Sequence, residues 1–189
     1  AVQIGGALAA AHAAGIVHRD MKPENVLFTA TGVPLIADAG LAKHFSLDTP
    51  GASRSVALSV AGELRGTAGY MAPEQANDAR SADARADVFS LGAILFEALA
   101  GEPAFAGETV IVLLSKVERG ERSSLLEACP TAPRWLAAVV ERALAPDPDE
   151  RFPDGTALAV ALETEEAPPS PGRSRRVAVA FAVLASLAA

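Results

Sequence analysis

Eight consecutive residues near the start of the chain carry a dense set of groups that could do chemistry. Residues 18–25 read His-Arg-Asp-Met-Lys-Pro-Glu-Asn, which combines carboxylates, cations, an imidazole and an amide. Transfer of a phosphoryl group needs a carboxylate to orient the acceptor hydroxyl, a cation at the phosphate, and oxygen ligands for Mg²⁺. The segment contains all of these group types. A solvated charged turn would have the same composition, and His18 alone would be an ordinary core histidine.

Three further motifs follow in the sequence. Residues 38–40 read Asp-Ala-Gly after an apolar strand, and residues 66–75 read Gly-Thr-Ala-Gly-Tyr-Met-Ala-Pro-Glu-Gln. Residues 87–92 read Asp-Val-Phe-Ser-Leu-Gly at the start of a long apolar stretch. Read separately, Asp87 is a first-turn acid that the helix dipole favours.

Together the four motifs resemble those of the eukaryotic-like serine/threonine protein kinases of bacteria. Residues 18–25 match the catalytic loop of that family, residues 38–40 stand at its Asp-Phe-Gly, and residues 66–75 look like the end of its activation segment. The resemblance covers about residues 1–163 and corresponds to the helical C-terminal lobe. It implies transfer of the γ-phosphoryl of ATP to Ser or Thr of protein substrates, with ATP and Mg²⁺ as cofactors.

The resemblance also implies catalytic roles. Asp20 would orient the acceptor hydroxyl, Lys22 would contact the transferred phosphate, and Thr67 would hydrogen-bond both side chains. Asn25 and Asp38 would ligate Mg²⁺. The residues assigned to nucleotide binding are Lys22, Glu24, Asn25, Leu27 and Asp38, with Leu27 under the adenine ring.

Five residues are structural or regulatory candidates by the same resemblance. Asp87 would accept hydrogen bonds from the catalytic-loop backbone that contains His18, and Glu74 would pair with Arg151. Arg19 precedes the catalytic carboxylate, and kinases with this pairing are commonly switched by a phosphate on the activation segment. The candidate acceptors of that phosphate are Ser46, Thr49, Ser53, Ser55 and Ser59.

Two departures from the family pattern favour an alternative. Ala39 replaces the phenylalanine of Asp-Phe-Gly, and loss of a buried phenylalanine costs about 3 to 5 kcal/mol. A glycine-rich loop and a strand lysine, which clamp ATP in the N-terminal lobe, do not precede residue 18. We therefore expect the N-terminal lobe to be missing from this piece and its own kinase activity to be low. The alternative is a non-catalytic pseudokinase or scaffold module.

The remaining sequence predicts a mainly α architecture with one small β-hairpin. Thr31 and Gly32 form the turn between strands at 26–28 and 33–37. Residues 41–66 lack periodicity and predict a long irregular loop. Apolar periodicity predicts helices near residues 1–14, 86–100, 108–119, 133–144 and 155–162.

Charge and composition indicate the compartment and exclude some partners. The formal net charge of -7 disfavours nucleic acid as a partner. With one cysteine, Cys129, the chain cannot form an internal disulfide, which is typical of a reducing cytoplasm.

The C-terminal residues predict a membrane attachment. Residues 164–176 are rich in Glu, Pro, Ser and Arg and read as a juxtamembrane linker. Residues 177–189 are uncharged and follow three arginines, which resembles the start of a truncated transmembrane helix. We expect the intact protein to be a single-pass receptor kinase of the bacterial inner membrane, with the kinase part cytoplasmic. A short apolar tail or an interfacial segment is the alternative.

Overall fold

A computed structural model of the chain describes residues 1–38, 67–77 and 82–165. Single turns of 3-10 helix lie at Pro23–Asn25 and Pro148–Glu150. The described part is mainly helical with one two-stranded sheet, which confirms the prediction. Its helices and strands are α1 (Val2–Ala13), β1 (Val26–Phe28), β2 (Pro34–Ile36), α2 (Pro73–Asn77), α3 (Ala84–Ala100), α4 (Val110–Arg119), α5 (Leu125–Ala128), α6 (Arg134–Ala143) and α7 (Gly155–Thr164).

Helix α3 lies at the centre of the described residues. It begins after Asp83, whose carboxylate accepts a hydrogen bond from the backbone N–H of Arg85 at 2.9 Å. It ends at Gly101, whose φ of 76° is the left-handed conformation that glycine adopts without strain. Every residue from Ala86 to Phe96 is buried, because the helix is apolar on nearly all sides and neighbouring helices cover it.

Helices α1 and α7 pack closely against each other and against α3. The approach requires glycine at the first residue of α7, since a Cβ on Gly155 would lie 2.8 Å from the backbone N of Ala9. Leu8 in α1 and Leu158 in α7 are fully buried in the same apolar core. The glycine at the start of α7 therefore allows the last described helix to lie against the first one.

The hairpin is antiparallel and pairs Val26 with Ile36 and Leu27 with Leu35. Side chains alternate between the two faces of a strand. Val26 and Ile36 pack on the core, whereas Leu27 and Leu35 are 52% and 49% exposed. The hairpin therefore presents an apolar outer face.

The structure differs from the sequence prediction mainly at helix ends and in short elements. Helix α3 begins two residues earlier than predicted, and α7 reaches Thr164, one residue past the predicted end of the domain. Helices α2 and α5 were not predicted, because four or five residues are too few to show periodicity.

Several predictions concern residues outside the described ranges. They are Ala39, the irregular loop 41–66 with its candidate phosphate acceptors, most of the linker, and the apolar segment 177–189. Within residues 1–38, 67–77 and 82–165, no helix is both long enough and apolar enough to cross a membrane.

Candidate active site

The loop of residues 18–25 is attached to helix α3 through Asp87. The Asp87 side chain is buried and accepts hydrogen bonds from the backbone N–H groups of His18 and Arg19, each at 2.7 Å. A third donor is Nε2 of His12, 3.0 Å from the Asp87 carboxylate. A buried carboxylate is costly unless hydrogen-bonded, so these donors offset the cost and fix the start of the loop.

His12 is a residue of this site for which the sequence predicts no role. Its Nδ1 accepts a hydrogen bond from the backbone N–H of Gly155 at 2.9 Å, so the ring proton lies on Nε2 and is donated to Asp87. His12 therefore connects α1, α3 and the start of α7. The only signal in the sequence is a polar side chain near the end of a helix that is otherwise, apart from Gln3, made of apolar residues and glycine.

The ring of His18 connects the loop to the residue before Asp38. Nδ1 accepts a hydrogen bond from the backbone N–H of Asp20 at 3.2 Å, and Nε2 donates to the carbonyl of Ala37 at 2.7 Å. His18 is only 2% exposed. The buried ring therefore connects the backbone at Asp20 to the backbone at Ala37, the residue before Asp38.

Asp20, Lys22 and Asn25 lie together at the loop. The ammonium of Lys22 is 3.6 Å from the carboxylate of Asp20. The amide Nδ2 of Asn25 donates to the Asp20 carbonyl at 2.7 Å and lies 3.4 Å from its carboxylate. Asp20 and Lys22 keep 28% and 25% exposure of their side chains, so the charges can reach a bound molecule.

Asp38 lies beside Asn25 because of the hairpin. The backbone N–H of Ala37 donates to the carbonyl of Asn25 at 2.8 Å, one residue before Asp38. Asp38 is exposed, and its φ of 58° is left-handed. Among the described residues, the side-chain contacts of Asn25 involve its amide nitrogen and not its amide oxygen.

The donor set of Asn25 and Asp38 fits magnesium. Amide and carboxylate oxygens are hard ligands, and Mg²⁺ in nucleotide sites is bound by one or two carboxylates plus phosphates. No cluster of three or more His, Cys, Asp or Glu that could bind a metal by itself occurs among the described residues. Phosphate oxygens and water would complete the coordination of a bound ion.

The other nucleotide-binding candidates lie near this group. Leu27 is on the outer, exposed face of the hairpin, opposite Leu35. Glu24 is exposed, and its charge contributes to the raised pKa of Tyr70.

Thr67 does not join the expected network in this structure. Its hydroxyl makes no hydrogen bond to Asp20 or Lys22, and its carbonyl accepts one from the backbone N–H of Tyr70 at 3.0 Å.

The Tyr70 hydroxyl donates to Glu97 in α3. Burial, with this contact and the charge of Glu97, raises the pKa of Tyr70 well above its usual value. Tyr70 and Glu97 line a groove of about 320 Å³.

Glu74 and Arg151 form a bidentate ion pair. The two guanidinium nitrogens lie 2.7 and 2.9 Å from the two carboxylate oxygens. The Arg151 side chain is fully buried, while Glu74 keeps 19% exposure. Arg151 also donates to the carbonyls of Arg85, Ala145 and Pro146, so the pair joins three segments of the chain.

The chain is similar to known protein kinases. Residues 1–161 match the family described as protein kinase domain. Serine/threonine-protein kinase PknL of Mycobacterium tuberculosis is 34% identical over 84% of this chain and 37% of its own length. PknA of the same species is 35% identical over 99% of this chain and 43% of its own length. PknA of Corynebacterium glutamicum is 35% identical over 93% of this chain and 35% of its own length.

The chain thus spans less than half the length of these relatives. The family match extends over most of the described residues and includes all four motifs. The chain belongs to the protein kinase family and is of the bacterial serine/threonine type.

Proposed function

We propose that the whole protein transfers the γ-phosphoryl group of Mg-ATP to serine or threonine hydroxyls of protein substrates. The observation that carries this proposal is the grouping of Asp20, Lys22 and Asn25 on a loop whose backbone is bound to the buried Asp87. The hairpin adds Asp38 at the same place. The relatives PknL and PknA are named serine/threonine-protein kinases, which supports serine or threonine as the acceptor.

Each residue of this group would have a separate task. The Asp20 carboxylate would accept a hydrogen bond from the substrate hydroxyl, orient its oxygen toward the γ-phosphorus and take up its proton. Lys22 would donate to the transferred phosphate, and its contact with Asp20 keeps both groups in place. Asn25 and Asp38 would bind Mg²⁺, which neutralises phosphate charge when bound. Thr67 as a third partner of Asp20 and Lys22 stays a prediction.

The test measures phosphate transfer from labelled ATP to the protein itself and to a generic protein substrate, using the full-length native protein. Asp20→Asn keeps the shape of the side chain and removes the proton acceptor, so we expect kcat to fall by about 100-fold or more. Asp149→Asn is the matched control, because the Asp149 side chain is 75% exposed and pairs with Arg85, while its backbone N–H donates to the carboxylate of Asp147. Full activity of Asp20→Asn would overturn the proposal.

The alternative is a non-catalytic scaffold, which Ala39 at the phenylalanine position favours. A folded wild-type protein that binds Mg-ATP without transferring phosphate would support it. In that case Asp20→Asn would leave nucleotide affinity unchanged.

We also propose three segments: a kinase C-terminal lobe at 1–163, a juxtamembrane linker at 164–176, and the start of a membrane-spanning helix at 177–189. The support is the absence of charge in 177–189 and the three arginines that precede it. We expect the full-length protein in the membrane fraction of bacterial cells, released into the soluble fraction when 177–189 are deleted. Recovery of the unaltered protein in the soluble fraction would contradict the proposal.

A further inference from the structure

Gln75 is the last residue of the Ala-Pro-Glu-Gln motif, and the kinase resemblance assigned it no role. It is the third residue of α2, and its Oε1 accepts a hydrogen bond from the backbone N–H of Ala72 at 3.2 Å. This is half of a capping box, in which the third residue of a helix reaches back to the N-cap backbone. Ala72 has no polar side chain, so the reciprocal half is absent.

The other end of the same amide contacts the catalytic loop. Nε2 of Gln75 donates to the carbonyl of Arg19 at 2.9 Å, across 56 residues of sequence. The two contacts fix the orientation of the amide, because Ala72 offers a donor and Arg19 offers an acceptor.

Arg19 has an unfavourable backbone conformation. Its φ of 63° is left-handed, a conformation that costs free energy for a residue with a Cβ and persists only where the surroundings determine it. Its N–H donates to Asp87 at 2.7 Å, and its C=O accepts from Gln75. Both polar groups of this backbone unit are therefore bound, and the carbonyl belongs to the peptide that leads into Asp20.

Another helix of the chain shows why glutamine rather than glutamate stands here. At α5 the third residue is Glu127, which accepts from the backbone N–H of the N-cap Ser124 at 2.7 Å and completes a capping box. Only an acceptor is needed there, and a carboxylate is favoured near a helix N-terminus. At α2 a glutamate would cap equally well but would have no N–H for the Arg19 carbonyl.

We propose that Gln75 is a positioning residue that binds the end of the activation segment to the catalytic-loop backbone and so fixes the peptide before Asp20. The functional part of this inference rests on the proposed kinase activity, and the contact itself does not. The consequence is that the orientation of Asp20 depends on the seating of residues 67–77 against the loop.

The experiment compares Gln75→Glu and Gln75→Met in the full-length protein. Gln75→Glu keeps the cap and removes the donor, whereas Gln75→Met removes both without adding charge. The matched control is Gln3→Glu, since Gln3 is the chain's other glutamine and is exposed in α1. The first measurement is hydrogen–deuterium exchange of the amides of residues 18–20, together with thermal unfolding.

We expect exchange of these amides to rise about 3- to 10-fold in both Gln75 variants, as for loss of one hydrogen bond. Gln3→Glu should leave exchange unchanged, and the Tm of Gln75→Glu should stay close to that of the wild type. Unchanged exchange in both Gln75 variants would overturn the proposal. A rise in Gln75→Glu alone would do the same, because charge repulsion would then be the cause.

Phosphate transfer provides the second readout. We expect kcat of Gln75→Glu to fall about 3- to 10-fold while KM for ATP stays within about twofold, because Gln75 positions Asp20 and does not contact nucleotide. A wild-type protein without transfer activity would refute the proposed function, and the exchange measurement would still decide whether Gln75 orders the loop. An active protein in which Gln75→Glu keeps the wild-type kcat would refute the positioning role.

Discussion

Tyr70 shows how one buried polar contact connects two parts of the site. Its hydroxyl donates to Glu97 near the end of α3, and its carbonyl accepts from Ser90 Oγ at 2.7 Å. Ser90 is itself buried in the middle of α3. The segment after Thr67 is therefore bound to the central helix from both its side chain and its backbone.

The first prediction is that Tyr70 titrates far above the ordinary tyrosine pKa of about 10. Tyr70 is the only tyrosine, so phenolate absorbance reports on it alone. Because the folded-state pKa is above the unfolded value, this contribution to stability is complete below about pH 10 and is lost as the pH rises through the folded-state pKa.

Glu97→Gln keeps a hydrogen-bond acceptor and removes the negative charge. We therefore expect the titration of Tyr70 in this variant to move back toward pH 10. Denatured protein provides the reference curve. Coinciding curves for the folded and denatured wild type would contradict the prediction.

At the scale of elements, the contact between α1 and α7 depends on backbone proximity more than on large side chains. Gly155 lies close to the backbone of α1: a Cβ added at this position would be 2.8 Å from backbone atoms of both Leu8 and Ala9. The same residue donates its N–H to His12, which in turn contacts Asp87. The start of α7 is therefore coupled to the loop that carries Asp20.

The second prediction is that Gly155→Ala destabilises the domain by about 1 to 3 kcal/mol, because the added methyl meets backbone that cannot move aside as a side chain could. Chemical denaturation measures the free energy of unfolding. Gly6→Ala is the matched control: a Cβ at Gly6 would meet no described residue within 4 Å, so we expect a gain of about 0.5 to 1 kcal/mol from helix propensity. Equal effects of the two substitutions would show that packing at Gly155 is not close.

At the scale of the whole molecule, Arg151 connects segments that are far apart in sequence. It binds Glu74 in α2, the carbonyl of Arg85 in α3 and the turn before residue 151. Its guanidinium carbon lies 4.9 Å from the ring centre of Phe89. A planar group with five donors can make these contacts at once, and a lysine cannot.

The third prediction is a loss of about 3 to 5 kcal/mol in unfolding free energy for Arg151→Ala, since Glu74 would lose its partner and three carbonyls their donor. Arg151→Lys should recover only part of this loss. Arg134→Ala at an exposed site should change stability by less than about 0.5 kcal/mol. A melting temperature unchanged by Arg151→Ala would rule out a structural role for the pair.

The sequence alone determined the longer helices, the hairpin and the chemical groups of the site. Helix α3 was predictable because its apolar run ends at Gly101, and the hairpin because two short strands flank Thr31 and Gly32. The motif of residues 18–25 indicated a phosphoryl-transfer site without any structure. These features depend on neighbours within a few positions, which a linear sequence displays directly.

Only the tertiary structure decided which distant groups support that site. His12 reaches Gly155 across 143 residues, and Gln75 reaches Arg19 across 56. In the structure the Thr67 hydroxyl makes no hydrogen bond to Asp20 or Lys22, so its role stays a prediction. Such contacts depend on how the helices pack, and packing is set by the sum of many buried surfaces. No spacing in the sequence encodes that sum, so the partners of His12 and Gln75 could be identified only after the chain had folded.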